Sequence, residues 1–243
     1  MNETGIKVIK KLGDSTNNIE TSYTYKDKTC SIIELNSIFA KQCSEVGPIK
    51  KDLELVEQAL KTAIKISEKL ESTLPPNTHH ILSDTDPDQH IILWALLTSS
   101  ITTYYKCFAD ASGRKIKLSE NKLNETLTSE QIAYHKRIKL MRHSWIAHGG
   151  ANQHDIAKTL LLLDPTAEDQ SPKILTILTH TSYVFGPSSL ELTDFLDLVV
   201  AVIKMTDELR NTKLKLITER EIRSINICTS KTFLVTNFPH SLI

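Results

Sequence analysis

The amino-acid sequence predicts a mainly α-helical bundle with a small β element. Long stretches place apolar residues at every third or fourth position, which is typical of helices that bury one face. Residues 156–184 are instead rich in Leu, Ile and Thr and predict the β element. A chain of 243 residues without a low-complexity linker can bury a full core, so we expect a single domain spanning 1–243.

The N-terminal segment, residues 1–45, gives the weakest signal. Short strands are predicted at 6–9, 22–25 and 29–33, and the polar residues 26–28 predict a turn between the last two. The rest of this segment stays undefined.

Two helices are predicted next. One begins near Lys51, where apolar residues adopt a 3.6-residue period, and ends before the proline pair 75–76. The other spans about 88–109, and its predicted stripe consists of Ile91, Trp94, Thr98, Ile101, Thr102, Tyr105 and Phe108. Trp94, Tyr104 and Tyr105 are expected in the core or an interface rather than as a base-stacking platform. Because residues 91–97 are apolar on nearly every side, we expect this second helix to be the most buried.

The loop before the second helix is rich in Asp and His. Its Asp84, Asp86 and Asp88 begin like a calcium-binding loop. Gln89 stands where such a loop needs Gly and Ala95 where it needs Glu, so the calcium interpretation fails. Another metal stays an alternative, but aspartates that favour the N-terminus of the next helix explain the pattern better. We therefore expect no metal and no cofactor.

The stretch 128–150 predicts a capped, amphipathic helix. Thr128 and Gln131 have the spacing of a capping box, and Gly149 and Gly150 can end a helix. Residues at spacings of three and four form its predicted buried stripe: Ile132, His135, Ile138, Met141 or Arg142, and Trp145.

Two strands and a long helix are predicted after this stretch. The strands are expected at 156–163 and 173–184, separated by Asp164-Pro165. Ser188 and Glu191 predict the start of the helix, which continues to about Leu216. Residues 232–236 add either a further strand or a disordered tail.

The helix at 128–150 is also strongly basic. No Asp or Glu occurs between Gln131 and His154, although the whole chain has 29 acidic and 29 basic residues. Four histidines and four other basic residues lie there, the latter being Lys136, Arg137, Lys139 and Arg142. A solvated basic face and an anion-binding site both fit this pattern.

The spacing of Arg142 and His148 favours the anion site. Arg offers a planar fork of donors to a phosphate, and His can take and give a proton near neutral pH. On a straight helix, six steps of 100° separate the two side chains by about 120°. Either the long Arg side chain reaches round, or the pair converges with its counterpart from a second copy of the chain.

The segment RHSWIAHG resembles the R-x4-6-H signature of the HEPN superfamily. His143 matches the polar residue that often follows the Arg, and Ile146-Ala147-His148 matches the end of the motif. Residues 90–120 are similar to the preceding helix and basic loop of bacterial HEPN-like proteins. The resemblance covers roughly residues 50–150.

This resemblance implies a HEPN-like bundle and a metal-independent endoribonuclease that acts as a homodimer. Arg142 and His148 would be catalytic with support from His143, and RNA would be held by Lys136, Arg137 and Lys139. Such proteins occur in toxin–antitoxin and antiphage systems, so an antitoxin protein is an expected partner. The alternative is a non-catalytic binding or assembly module, in which His148 caps the helix and Arg142 pairs with a carboxylate such as Asp155.

Several other classes of protein are disfavoured. The longest apolar run, 91–97, is far shorter than the roughly 20 residues a membrane helix needs, and the first residues do not resemble a signal peptide. We therefore expect a cytoplasmic protein without a membrane partner. Four cysteines without C-x2-C spacing indicate neither a zinc site nor a disulfide framework. The motifs of nucleotide-binding, serine-hydrolase and zincin enzymes are absent from the sequence.

Overall fold

The computed structural model describes residues 5–12, 19–73, 86–110, 116–146, 155–164, 174–183 and 188–220. Over these ranges the chain is mainly α-helical with a small β element, as the sequence predicts. The helices are α1 (Ile38–Ser72), α2 (Pro87–Lys106), α3 (Glu120–Thr126), α4 (Ser129–Met141), a π-helix (Arg142–Ile146) and α5 (Ser189–Arg220). The strands are β1 (Ile6–Leu12), β2 (Ile19–Tyr25), β3 (Lys28–Thr29), β4 (Asp155–Leu163) and β5 (Ile174–Tyr183).

The chain divides into two compact units, one of Met1–Lys41 with Lys213–Ile243 and the other of Gln42–Thr212. In the first unit, β1, β2 and β3 form an antiparallel sheet in that order. Lys26 and Asp27 both have positive φ, 48° and 60°, which is the geometry of a two-residue hairpin turn. The predicted strands at 6–9 and 22–25 and the turn that follows them are confirmed, whereas the third strand, predicted at 29–33, consists only of Lys28–Thr29.

Helix α1 begins at Ile38, thirteen residues before the predicted start at Lys51. A proline inside the helix, Pro48, obscures this earlier part of the sequence pattern because proline normally interrupts a helix. The buried stripe nevertheless runs through it, from Val46 and Ile49 to Leu53. Burial of this stripe offsets the hydrogen bond that the proline cannot make.

The sequence prediction for the buried face of α2 was wrong over its first turns, although Ile101 and Phe108 of the predicted stripe are buried. The helix buries Leu93, Leu97, Ser100, Ile101 and Tyr104. By contrast, Ile91 is 65% exposed and Trp94 is 44% exposed. The first turns of α2 therefore expose part of their apolar surface. Where a helix is apolar on nearly every side, the sequence does not determine which side faces the core.

The hydrophobic core of the second unit lies between α1, α2, α4 and α5. Two polar contacts show that α1 and α5 are antiparallel: Lys50 pairs with Asp207, and Glu71 accepts hydrogen bonds from the backbone N–H and the hydroxyl of Ser189. On α5 the buried residues include Leu192, Phe195, Leu198, Val199 and Val202. The predicted start of α5 is confirmed, since Ser188 and Glu191 form reciprocal hydrogen bonds at 3.2 Å.

The short helix α3 was not predicted. At seven residues it is too brief for a helical period to stand out in the sequence. It is held by burial of Leu123 and of Leu118 just before it, and Thr126 at its end contacts the Met205 sulfur of α5. Tertiary packing, rather than local propensity, therefore forms this helix.

The predicted strands after the motif helix are confirmed as an antiparallel pair, β4 and β5, with Leu160 opposite Leu178. Among the described residues, no helix is long and apolar enough to cross a membrane, and no group of three His, Cys, Asp or Glu residues is placed to hold a metal ion. The expected features at 79–85 and 232–236 lie outside the described residues.

Candidate functional site

The start of the motif helix has the predicted capping box. The Thr128 hydroxyl accepts a hydrogen bond from the Gln131 backbone at 3.3 Å, and the Gln131 side chain accepts one from the Thr128 backbone at 3.1 Å. These two bonds satisfy donors that a helix start otherwise leaves unpaired. The predicted inward stripe is also correct, because His135, Ile138 and Trp145 are buried.

One side of α4 is held against the first turn of α5. The Tyr134 hydroxyl donates to the backbone carbonyl of Glu191 at 2.8 Å, and Arg137 pairs with the Glu191 carboxylate at 2.9 Å. The Arg137 guanidinium also lies over the Tyr134 ring. Arg137, predicted to bind RNA, is therefore engaged by a carboxylate of the same bundle.

Lys139, another of the predicted RNA-binding residues, is also paired with a carboxylate. Its ammonium donates to the Glu120 carboxylate at 2.7 Å. This hydrogen bond lowers the pKa of Glu120 and raises the pKa of Lys139, so both groups are charged near neutral pH. Lys136 is exposed, and no carboxylate among the described residues forms an ion pair with it.

A buried Tyr–His pair joins α2 to α4. Tyr104 Oη lies 2.9 Å from His135 Nδ1, and the rings of Phe108 and Phe195 pack around this pair. Burial raises the pKa of Tyr104 well above its ordinary value and lowers the pKa of His135, so both groups are neutral near neutral pH. Within the described part of the chain, His135 Nε2 has no hydrogen-bond partner.

A second Tyr–His pair lies closer to solvent. Tyr105 Oη is 3.0 Å from Nε2 of His143, and the two rings meet edge to face with centroids 5.0 Å apart. His143 is exposed, whereas Tyr105 is half-buried. The structure thus brings the predicted supporting residue His143 together with a tyrosine that sequence reasoning assigned only to the core or an interface.

The sequence carries no clear signal for these two pairs. Tyr104 and Tyr105 are consecutive on α2, whereas His135 and His143 are eight residues apart, or about 12 Å along a straight helix. His143 also lies in the π-helix, so a helical period does not predict its direction.

Arg142 lies where α4 changes into the π-helix. Its backbone N–H still donates to the carbonyls of Ile138 and Lys139, but the five residues Arg142–Ile146 form a turn with the wider i→i+5 pattern. Arg142 is half-buried, and no carboxylate in the described ranges pairs with it. The expected straight helix is therefore wrong over Arg142–Ile146, and the angle of about 120° calculated for Arg142 and His148 does not apply.

His148, Gly149 and Gly150 lie outside the described residues. Asp155 is described as part of β4, but not its side chain, so the alternative pairing of Arg142 with Asp155 stays a prediction. The convergence of Arg142 and His148 is likewise a prediction. What the structure shows at the end of the motif helix is two contacts, His143 with Tyr105 and Lys139 with Glu120, and the position of Arg142 next to His143 in the π-helix.

The chain matches no protein-family model, no curated protein and no solved structure. The HEPN resemblance therefore depends on the residues of the motif helix and its neighbours alone.

Proposed function

We propose that this protein is a metal-independent endoribonuclease of the HEPN type that acts as a homodimer in the cytoplasm. The observation that carries the proposal is the setting of Arg142. Arg142 occupies the first position of a π-helix at the end of a capped helix, and the residue that follows it, His143, is exposed. π-Helical turns inside α-helices occur frequently at functional sites.

The reaction that these residues support is transfer of a phosphodiester within one RNA strand. The ribose 2′-oxygen forms a bond to the adjacent phosphorus while the bond from phosphorus to the 5′-oxygen breaks. His148 moves the protons between the 2′-hydroxyl and the leaving oxygen, directly or through water. Arg142 stabilises the negative charge that develops on the non-bridging oxygens. The products are a 2′,3′-cyclic phosphate and a 5′-hydroxyl, and DNA is spared because it lacks the 2′-hydroxyl.

Binding of the RNA backbone is assigned to Lys136, Arg137 and Lys139. These three differ in availability, because Arg137 and Lys139 are already paired with Glu191 and Glu120. A phosphate must compete with these carboxylates, whereas exposed Lys136 is directly accessible. Lys136 is therefore expected to make the larger contribution to affinity.

The HEPN resemblance also suggests the biological setting. It favours a toxin–antitoxin or antiphage system, in which an antitoxin protein would restrain the nuclease. A composite site, with Arg142 of one copy beside His148 of the other, accounts for the homodimer.

A non-catalytic binding or assembly module is the second candidate. The ion pairs Arg137–Glu191 and Lys139–Glu120 favour it, because they use two of the three proposed RNA-binding cations inside the bundle. In such a module the basic helix would serve mainly to hold α3, α4 and α5 together.

Cleavage of single-stranded RNA in EDTA separates the two candidates. The nuclease is expected to release fragments with cyclic phosphate ends, and His148→Ala is expected to lose this activity while its circular dichroism stays unchanged. His90→Ala serves as a matched control, since this histidine lies on α2 outside the motif. Equal activity of wild type and His148→Ala, or no wild-type cleavage across a broad panel of RNAs, would favour the module.

A further inference from the structure

The imidazole of His143 is restrained by two contacts with one tyrosine. The hydrogen bond of 3.0 Å to Tyr105 Oη fixes the position of Nε2, and the edge-to-face contact at an interplanar angle of 78° fixes the tilt of the ring. An exposed histidine would otherwise sample several rotamers. The bundle thus holds this ring in one orientation while leaving it open to a ligand.

The residue that makes both contacts is itself fixed by the core. Tyr104, its neighbour in sequence, is fully buried and hydrogen-bonded to His135 on α4. This bond ties α2 to α4 one residue before Tyr105, so the phenol of Tyr105 projects from a backbone that has little freedom to move.

We propose that Tyr105 is a positioning residue that fixes the orientation and the tautomer of His143 for contact with an RNA phosphate. This inference rests on the proposed ribonuclease function. A phenol is a stronger acid than a neutral imidazole N–H, so the Tyr105 hydroxyl donates and His143 Nε2 accepts. The ring proton of neutral His143 is then held at Nδ1. The Nδ1–H group becomes the donor that faces an incoming phosphate oxygen.

The tautomer can be measured without any enzymatic activity. Nitrogen chemical shifts of ¹⁵N-histidine-labelled protein, recorded above the pH range in which histidine titrates, distinguish Nδ1–H from Nε2–H rings. His143→Gln identifies the His143 signals. We expect His143 to be mainly the Nδ1–H form in wild type and to shift towards the Nε2–H form in Tyr105→Phe. An unchanged tautomer ratio in Tyr105→Phe overturns the proposal.

The matched control is Tyr134→Phe. Like Tyr105→Phe, this variant removes one tyrosine hydroxyl. The Tyr134 hydroxyl lies on α4 and donates to the Glu191 carbonyl, not to a histidine. We expect the His143 signals of this variant to match those of wild type. Since both substitutions keep the aromatic ring, both variants are expected to remain folded, which thermal unfolding will check.

Kinetics of RNA cleavage test the positioning role itself. Tyr105→Phe is expected to lower kcat about three- to tenfold with KM changed less than twofold, because a positioned donor acts mainly in the transition state. The same substitution in a His143→Gln background is expected to have no further effect. Wild-type kinetics in Tyr105→Phe would contradict a role in the reaction. If the wild-type protein cleaves no RNA, the proposed function fails, while the nitrogen shifts still decide whether Tyr105 sets the state of His143.

Discussion

Tyr104 and His135 hydrogen-bond each other at 2.9 Å within the hydrophobic core, where Tyr104 is fully buried and His135 is 4% exposed. Burial of two polar groups is costly unless they satisfy each other, so this pair specifies how α2 and α4 meet. The next residue along α2, Tyr105, then reaches His143 on the π-helix. The buried pair therefore sets the alignment on which the exposed pair depends.

Removal of the Tyr104 hydroxyl is expected to destabilise the fold. In Tyr104→Phe the ring still packs against Phe108 and Phe195, but His135 Nδ1 loses its partner in the core. The expected loss in the free energy of unfolding is about 1–3 kcal/mol, the cost of leaving a buried polar group unpaired. Urea denaturation of Tyr104→Phe and of wild type measures it. A change below about 0.5 kcal/mol, within the range of ordinary surface substitutions, would show that the pair does not hold the helices together.

Acid is expected to weaken the fold through His135. Burial lowers the pKa of His135 below its ordinary value of 6.5, with Glu120 acting in the opposite direction and Lys139 and Lys136 in the same direction. The unfolded chain therefore binds a proton at a higher pH than the folded chain does. The stability due to this group is fully present above 6.5 and is lost as the pH falls below 6.5 towards the folded pKa.

His135→Leu tests this pH dependence. Between about pH 7 and pH 5.5, the window in which an unperturbed histidine titrates, the free energy of unfolding of wild type should fall more steeply than that of the variant. Glu120, whose pKa is lowered by its hydrogen bond from Lys139, adds a separate loss that begins only as the pH falls through about 4.5. Parallel pH profiles of wild type and His135→Leu above pH 5 would contradict the assignment to His135.

Release of Lys139 from its ion pair should strengthen RNA binding if this lysine can contact phosphate. In Glu120→Gln the carboxylate that holds Lys139 loses its charge. We expect RNA affinity at low salt to rise a few-fold and the salt dependence of binding to steepen by about one counterion. Fluorescence anisotropy with a labelled single-stranded RNA over a series of salt concentrations measures both quantities.

Glu125→Gln is the matched control for that measurement. Glu125 lies on the same short helix and is exposed, but its ion-pair partner is Lys122, which is not among the proposed RNA-binding residues. Each variant removes one negative charge, so the general electrostatic effect on RNA is the same for both. If the two variants bind RNA equally, Lys139 makes no contact of its own.

A heterodimer experiment tests the composite site. Arg142→Ala and His148→Ala are each expected to be inactive as homodimers. After mixing and subunit exchange, half of the dimers contain both variants, and each of these has one intact site of two. About a quarter of wild-type activity should therefore return if the site is shared between copies. No recovery, despite exchange shown by native mass spectrometry, would place both residues of the site in one chain.

The elements that sequence predicts well here are those with a local signal. Both capping boxes, Thr128–Gln131 and Ser188–Glu191, lie where their spacing predicts, because a cap is formed by residues three apart. The strands β4 and β5 are likewise found at the predicted positions. Each of these features depends on neighbours in sequence.

The features that sequence did not predict depend on residues far apart in the chain. The buried face of α2 is set by packing against other helices and could not be chosen from an apolar stretch alone. The pairing of Lys139 with Glu120 spans 19 residues, and the pairing of His143 with Tyr105 spans 38. The π-helix at Arg142 has no sequence signature of its own, so a straight helix was the natural expectation.

Cleavage of RNA by Arg142 and His148 together is the reaction that we propose for this protein. Its most direct test is the rate at which 2′,3′-cyclic phosphate ends form on a single-stranded RNA in EDTA, for wild type and Arg142→Ala. Wild type should form these ends, and Arg142→Ala should be at least about 100-fold slower because the charge on the transition state loses its partner. Equal rates for the two proteins, or no cyclic phosphate from wild type, would contradict the claim.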